Sequence, residues 1–460
     1  METQNTNNLL EKFNNWMKES ISIKLASIGL LVLILLVPSS WIQSLMEERQ
    51  ERALSVTDEV ADKWARAQTI TGPVLVIPFT KREKIDKGKD GIEIRQWTER
   101  AFFLPEKFSS NGKVKPEKLH RGIFDVAVYE SNIAISALFK LPDFEKLGVS
   151  EMDVHWKESS FLLGLSDLRG ISSNPTILVG GVELTGEPTN NLGLSKPTQN
   201  SENSNQRVAD ERGMLVKLPW LVKDDFKGDV KVNFQLRGSS QLFFAPVGKT
   251  TQVSLEGPWP NPSFDGVFLP TKRDITESGL KAQWNILHYN RPFSQQWIEG
   301  DQNVSDANFG VKFLIPVDQY QKSIRTAKYG QLIILLTFIA LFMVEIMKKI
   351  RIHPFQYILI GSALIIYYTL LISVSEHIGY NMAYALSSFA TVTLISLYSL
   401  TFLETRKLTA LLSTLLVFFY SFIFVIIQLQ DYSLLLGSIG LFLIISIVMY
   451  FSRSVKWYNE

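Results

Sequence analysis

The chain changes character twice along its length. Residues 25–42 form an uninterrupted apolar run, introduced by Lys24 and closed by Trp41. Five more apolar runs crowd the C-terminal part, at 329–347, 357–375, 382–403, 408–427 and 433–451. A helix needs about 20 residues to cross the core of a bilayer, so each run predicts a transmembrane helix. Charge is almost absent within them, with Glu345 and Glu404 standing at ends. Buried helices of a soluble protein do not come as so many long runs side by side. The first run has a rival reading as a cleaved signal peptide, but Pro38-Ser39-Ser40-Trp41 makes a poor cleavage site.

Residues 46–327 read instead like a soluble protein. Leu45, Val56, Val60 and Trp64 continue an apolar pattern at helical spacing, which predicts a stalk helix to about Gln68. Ile70-Thr71-Gly72-Pro73 predicts a break before a strand at 74–79. Strand signals then recur at 124–129, 133–139, 160–163, 176–184, 214–218, 230–236, 242–246, 251–255, 282–287 and 311–316. Several alternate, as Val230, Val232, Phe234 and Leu236 do. One wet face per strand favours antiparallel sheets. The stretch 187–212, rich in Asn, Ser, Thr and Pro, predicts a mobile loop or an insertion.

Lysine and arginine fix the expected orientation. Lys12, Lys18 and Lys24 precede the first run; Lys348, Lys349 and Arg351 follow the second; Arg406 and Lys407 follow the fourth; Arg453 and Lys456 follow the sixth. The loops around Glu376-His377 and 428–431 carry no lysine or arginine. Every other loop is basic. The fold expected is an α+β membrane protein, with six transmembrane helices, one N-terminal and five C-terminal, and a large, mainly antiparallel, sandwich-like extracytoplasmic domain. Its parts are a cytoplasmic N-terminus (1–24), helix one (25–45), the outer domain with its stalk (46–327), a five-helix bundle (328–452) and a cytoplasmic tail (453–460).

Composition adds exclusions. A net charge of +2 over 460 residues gives no basic field for nucleic acid. The absence of cysteine removes disulfides, thiolate metal sites and cysteine nucleophiles. His120, His155, His288, His353 and His377 offer no pair at the i, i+4 spacing of a helical zinc site.

Three stretches together resemble the CreD family of bacterial inner-membrane proteins. The first is Trp64 followed by Gln68-Thr69-Ile70-Thr71-Gly72-Pro73-Val74-Leu75-Val76-Ile77-Pro78-Phe79. The second is Trp259-Pro260-Asn261-Pro262-Ser263-Phe264-Asp265-Gly266, continuing through Phe268-Leu269-Pro270 to Trp284. The third is Ile352-His353-Pro354-Phe355-Gln356-Tyr357, then Ser373-Val374-Ser375-Glu376-His377-Ile378-Gly379-Tyr380. The resemblance covers nearly the whole chain. It implies an inner-membrane protein tied to cell-envelope integrity and, in some bacteria, to the regulon of a two-component system sensing envelope stress. It implies no catalytic activity.

The candidate site residues are few. Glu376, His377 and Tyr380 are expected at the outer end of the third helix, as a hydrogen-bonding junction with the outer domain, with Glu376-His377 as a proton-handling or metal-binding pair the alternative. His353, before Pro354, reads as a helix start on the cytoplasmic side. Glu345 reads as an ion pair with Lys348 or Lys349. Trp259, Asn261 and Phe264 form either a packed turn or a candidate ligand lip. Ser387, Ser388, Thr391, Thr393, Ser396 and Ser399 suit close helix packing, with a polar pathway as the alternative. No catalytic, metal or cofactor residue is assigned. The partners expected are the lipid bilayer and an envelope protein, lipid or cell-wall component; oligomeric state is left open. Two functions stand: a non-catalytic envelope factor, or a transporter or membrane-embedded enzyme working near helices three and four.

Overall fold

The computed structural model describes residues 21–86, 92–190, 192–194, 212–300, 302–313, 315, 318–348, 350–403, 405–429 and 432–453. Lys12, Lys18, Lys349, Glu404 and Lys456 lie outside these, as do 191 and 195–211 of the expected loop. The chain divides into two compact units, Met1–Ala53 with Pro316–Glu460, and Leu54–Ile315.

In the helical unit, α1 (Ile21–Trp64) runs unbroken past Ala53 and so contributes its last turns to the other unit. The other helices are α2 (Asp318–Lys348), α3 (Pro354–Ile378), α4 (Tyr380–Ser399), α5 (Arg406–Gln428) and α6 (Ser433–Ser452). The first five are long and apolar enough to cross a membrane, and α6 carries a shorter described apolar stretch, Leu435–Tyr450. In the bundle α2 packs on α3, α4 and α5, while α3 packs on α4, α4 on α5 and α5 on α6. Small residues set the closest approaches, as bilayer helices favour. A Cβ on Gly361 of α3 would lie 2.3 Å from Leu35 of α1 and 3.0 Å from Phe338 of α2.

The β unit holds two facing sheets. The first runs β13 (Pro262–Gly266), β17 (Phe309–Phe313), β11 (Gln241–Phe244), β1 (Gln68–Asp86), β5 (Ser160–Leu165), β9 (Gly213–Lys217), β8 (Glu187–Thr189). A long hairpin joins β1 to β2 (Ile92–Phe103), and β16 (Gln296–Ile298) pairs with β2. The second runs β14 (Lys272–Thr276), β15 (Gly279–Leu287), β12 (Thr250–Gly257), β3 (Lys107–Arg121), β4 (Phe124–Leu138), β10 (Asp229–Ser239), β6 (Thr176–Val179), β7 (Val182–Leu184). Between them lies one aromatic core. Trp284 of β15 stands 5.6 Å from Phe309 of β17, and Tyr129 of β4 stands 5.1 Å from Phe313 of β17, ring centre to ring centre.

The described strand pairings are mainly antiparallel, as expected, with two parallel exceptions: β1 beside β11, and β3 beside β12. The strands expected at 124–129 and 133–139 are one continuous β4, because Glu130 and Asn132 face outward while Ser131 is buried and donates to Leu236 O at 2.8 Å. The strand expected at 176–184 is a hairpin turning on Gly180 and Gly181, both at positive φ. The helix ends at Trp64, not near Gln68, and 70–73 is no break. Strand β1 runs through it with a bulge between Thr71 and Val74. Gly72 adopts φ +110°, and a Cβ there would sit 2.6 Å from Leu162 O, so the glycine is required by close backbone approach.

Candidate functional site

Polar clusters close both ends of the α2–α3 pair. At one end Glu345, in the last turn of α2, is almost completely buried. Lys24 of α1 donates to its Oε1 at 2.7 Å and Tyr357 of α3 to its Oε2 at 3.1 Å, with Ile352 N at 3.3 Å from Oε1. A buried carboxylate is tolerated only when its charge and lone pairs are engaged. Glu345 is thus tied to α1 and α3 and not, as expected, to Lys348 on its own helix. Beside it, His353 caps α3: its Nδ1 accepts from Phe355 N at 3.2 Å, and its own N–H donates to Gln356 Oε1 at 2.9 Å. Pro354 takes the first helical position, where its missing N–H costs nothing.

At the other end, Glu376 and His377 occupy the last turn of α3, not a loop, and Gly379 alone separates α3 from α4. Glu376 is half-buried and accepts from Tyr320 OH of α2 at 3.2 Å. Tyr380 is buried, and its hydroxyl lies 2.7 Å from Thr326 Oγ1, also on α2. His377 is exposed. The structure therefore brings Glu376 and Tyr380 together on α2, with His377 turned away.

Between the two ends lies a feature the sequence reading missed. Tyr367 and Tyr368 of α3, Tyr384 of α4 and Tyr420 of α5 are all buried. Tyr367 centres 4.7 Å from Tyr420, and Tyr384 donates to Tyr420 O at 2.7 Å. The hydroxyls of Tyr368, Tyr420 and Ser387 are buried without a hydrogen-bond partner among the described residues. The signal was present: paired tyrosines in the middle of an apolar run, away from the interfacial belts where tyrosine usually sits.

In the β unit Trp259 is buried, donates to Asn261 O at 3.0 Å and meets Phe313 edge-on at 6.1 Å. Phe264 packs on Trp284 at 5.7 Å, and Asn261 is exposed. The aromatic members of this trio thus serve the core. The motif residue Gln68 is fully buried, and its amide nitrogen donates to Asp167 O at 2.8 Å and Arg237 O at 3.1 Å. Asp167 in turn accepts from Arg66 N at 3.0 Å and from Arg169 Nη2 at 2.8 Å. Burial pushes its carboxyl up, but the hydrogen bonds from Arg169 and Arg66 outweigh that and leave it below the ordinary 3.8. Arg291 is buried too. It donates to Phe293 O at 2.7 Å and Gln295 Oε1 at 2.6 Å, and burial lowers its guanidinium to about 10.

A bundle of long apolar helices joined through α1 to a two-sheet domain defines a multi-pass membrane protein of α+β class. The chain matches the family described as "Inner membrane protein CreD" over residues 20–458. It is 28% identical over 446 residues to the inner membrane protein CreD of Escherichia coli (strain K12), an alignment covering 96% of this chain and 95% of that one. It belongs to the CreD family, and is a multi-pass inner-membrane protein of the cell envelope. An M1 zinc metallopeptidase from Deinococcus radiodurans overlaps 40% of this chain and 39% of its own at a TM-score of 0.20 and 8% identity. A likeness that weak carries no argument.

Proposed function

We propose that the protein is a non-catalytic envelope factor, in which six spanning helices form a platform and the β unit binds an envelope component or protein partner. In this reading residues 1–24 and 453–460 are cytoplasmic and 46–327 are periplasmic. The observation that carries it is the placement of charge. The two described carboxylates of α3 and the C-terminal half of α2, Glu345 and Glu376, lie in final helical turns and are engaged by neighbouring helices. Transport and proton relay generally draw on ionisable groups near the bilayer midplane. Lys24 beside Glu345 also brings the start of α1 to the end of α2, at the end of the bundle where Lys348 and Arg351 follow. Under the positive-inside rule that end is cytoplasmic.

A second reading, transport or chemistry among α3 and α4, is favoured by the unpartnered hydroxyls of Tyr368, Tyr420 and Ser387. Reconstitution separates the two. The platform reading expects liposomes carrying the purified protein to show no ion or solute flux, while crosslinking captures envelope material on the β unit. Flux or hydrolysis removed by Glu376→Gln or Tyr368→Phe would contradict it.

A further inference from the structure

The outer face of the second sheet carries a groove of about 580 Å³ over β3, β12 and β15, beside edge strand β14. Strand register lays its floor out as a grid. Ser109, Gln252 and Asn285 stand abreast on the three strands, and two residues along, Asn111, Ser254 and Gln283 do the same. Rows abreast are separated by about 4.8 Å and successive rows by about 6.8 Å, the spacings of any sheet. All six side chains are neutral, and each presents both donor and acceptor capacity. Ser254 Oγ donates to Asn111 Oδ1 at 2.5 Å, while the side-chain amides of Gln252, Gln283 and Asn285 have no partner among the described residues. One charge, Lys272 of β14, stands at the margin.

The chemistry of this lining selects its occupant. A protein partner needs an apolar anchor at the centre of its interface, and the apolar lining residues, Val253 and Trp284, are buried; a phosphate is held by several charge-assisted donors, and Lys272 at the margin is the one cation among the lining residues. Acyl chains need an apolar floor. A molecule bearing many hydroxyls, each both donor and acceptor, matches a grid of amides and hydroxyls group for group, and the volume falls within the range of small-ligand sites. We propose that this groove binds a saccharide segment of the cell envelope. The proposal rests on the reading that the β unit binds an envelope component, and it narrows that component to a glycan.

The test uses full-length protein in lipid nanodiscs with chitotetraose and maltotetraose as probes, read by saturation-transfer NMR and calorimetry. At least one probe should bind with a dissociation constant of about 1 mM or tighter. Gln252→Ala and Asn285→Ala, both on exposed positions, should each weaken it about threefold to tenfold, and Ser254→Trp, which fills the groove, should abolish it. Failure of both probes to bind, or binding unchanged in Ser254→Trp, would overturn the assignment. So would displacement of the probe by a peptide that pairs along β14. A second arm photocrosslinks wild type and Ser254→Trp to whole envelope fragments. Capture by both would overturn the groove while leaving the wider reading intact; capture by neither would overturn the wider reading as well.

Discussion

Glu345 and Lys24, 321 positions apart in the chain, form an ion pair of 2.7 Å at one end of the helical bundle, with the carboxylate buried and the lysine about one-third exposed. Tyr357 completes the contact from a third helix. Removing one partner of such a pair leaves the other charge poorly compensated. Lys24→Met should therefore destabilise the bundle by about 1–3 kcal/mol, and Lys24→Met with Glu345→Gln should cost less than the lysine change alone. Unfolding of the purified protein by SDS titration measures both. A double variant as unstable as the sum of the singles would show that the pair is not coupled.

The bulge in β1 gives a second expectation. Gly72 sits at φ +110° with Leu162 O where a Cβ would go, so Gly72→Ala should cost about 2 kcal/mol or more. Tryptophan fluorescence follows it directly, because Trp156, Trp220, Trp259, Trp284 and Trp297 all lie in the β unit. Limited proteolysis should leave 68–72 intact in the wild type, since Gln68 and Ile70 are buried within a paired strand. Rapid cleavage there would contradict the strand.

The acid stability of the β unit should depend on Asp167. Its folded-state carboxyl lies below its ordinary value of 3.8, so the unfolded chain takes up the proton first as pH falls. Its contribution is therefore present above pH 3.8 and is lost as pH drops through and below that value. Melting temperature measured from pH 7 to pH 3 should fall at the acid end, and Asp167→Asn should lower the neutral plateau and flatten that fall. An unchanged acid limb in the variant would assign the loss to other carboxylates.

Bundle tyrosines should separate into two kinds. Tyr384 donates to a backbone carbonyl, so Tyr384→Phe should cost about 1 kcal/mol. The Tyr420 hydroxyl is buried without a described partner, so Tyr420→Phe should be neutral or slightly stabilising. A cost above about 1 kcal/mol for Tyr420→Phe would mean that the hydroxyl is held by water or by a bound molecule, and would favour the second functional reading.

The apolar runs were legible because continuous hydropathy needs no tertiary knowledge. Strand β3 was not, for a reason visible in its inward face: Phe108, Ser110, Gly112 and Val114 point to the core. Gly112 has no side chain because Leu255 fills that space, 2.4 Å from where a Cβ would stand. Inward serine and glycine beside outward lysines erase the alternation on which strand recognition depends. The ends of the bundle were legible as polar clusters but not in their pairing. Tyr320 lies nine residues before the apolar run of its own helix, and Lys24 lies on another helix altogether. Only the folded bundle brings them to Glu376 and Glu345.

The platform account stands or falls on which side of the membrane the β unit occupies. Since the native chain has no cysteine, single substitutions report cleanly. Met152→Cys is placed at the most exposed large apolar position of the β unit, and Arg351→Cys at the end of the bundle that holds Glu345. In intact spheroplasts an impermeant thiol reagent should label Met152→Cys at once and reach Arg351→Cys only after permeabilisation. The reverse pattern, with Arg351→Cys labelled from outside and Met152→Cys shielded, would contradict the account.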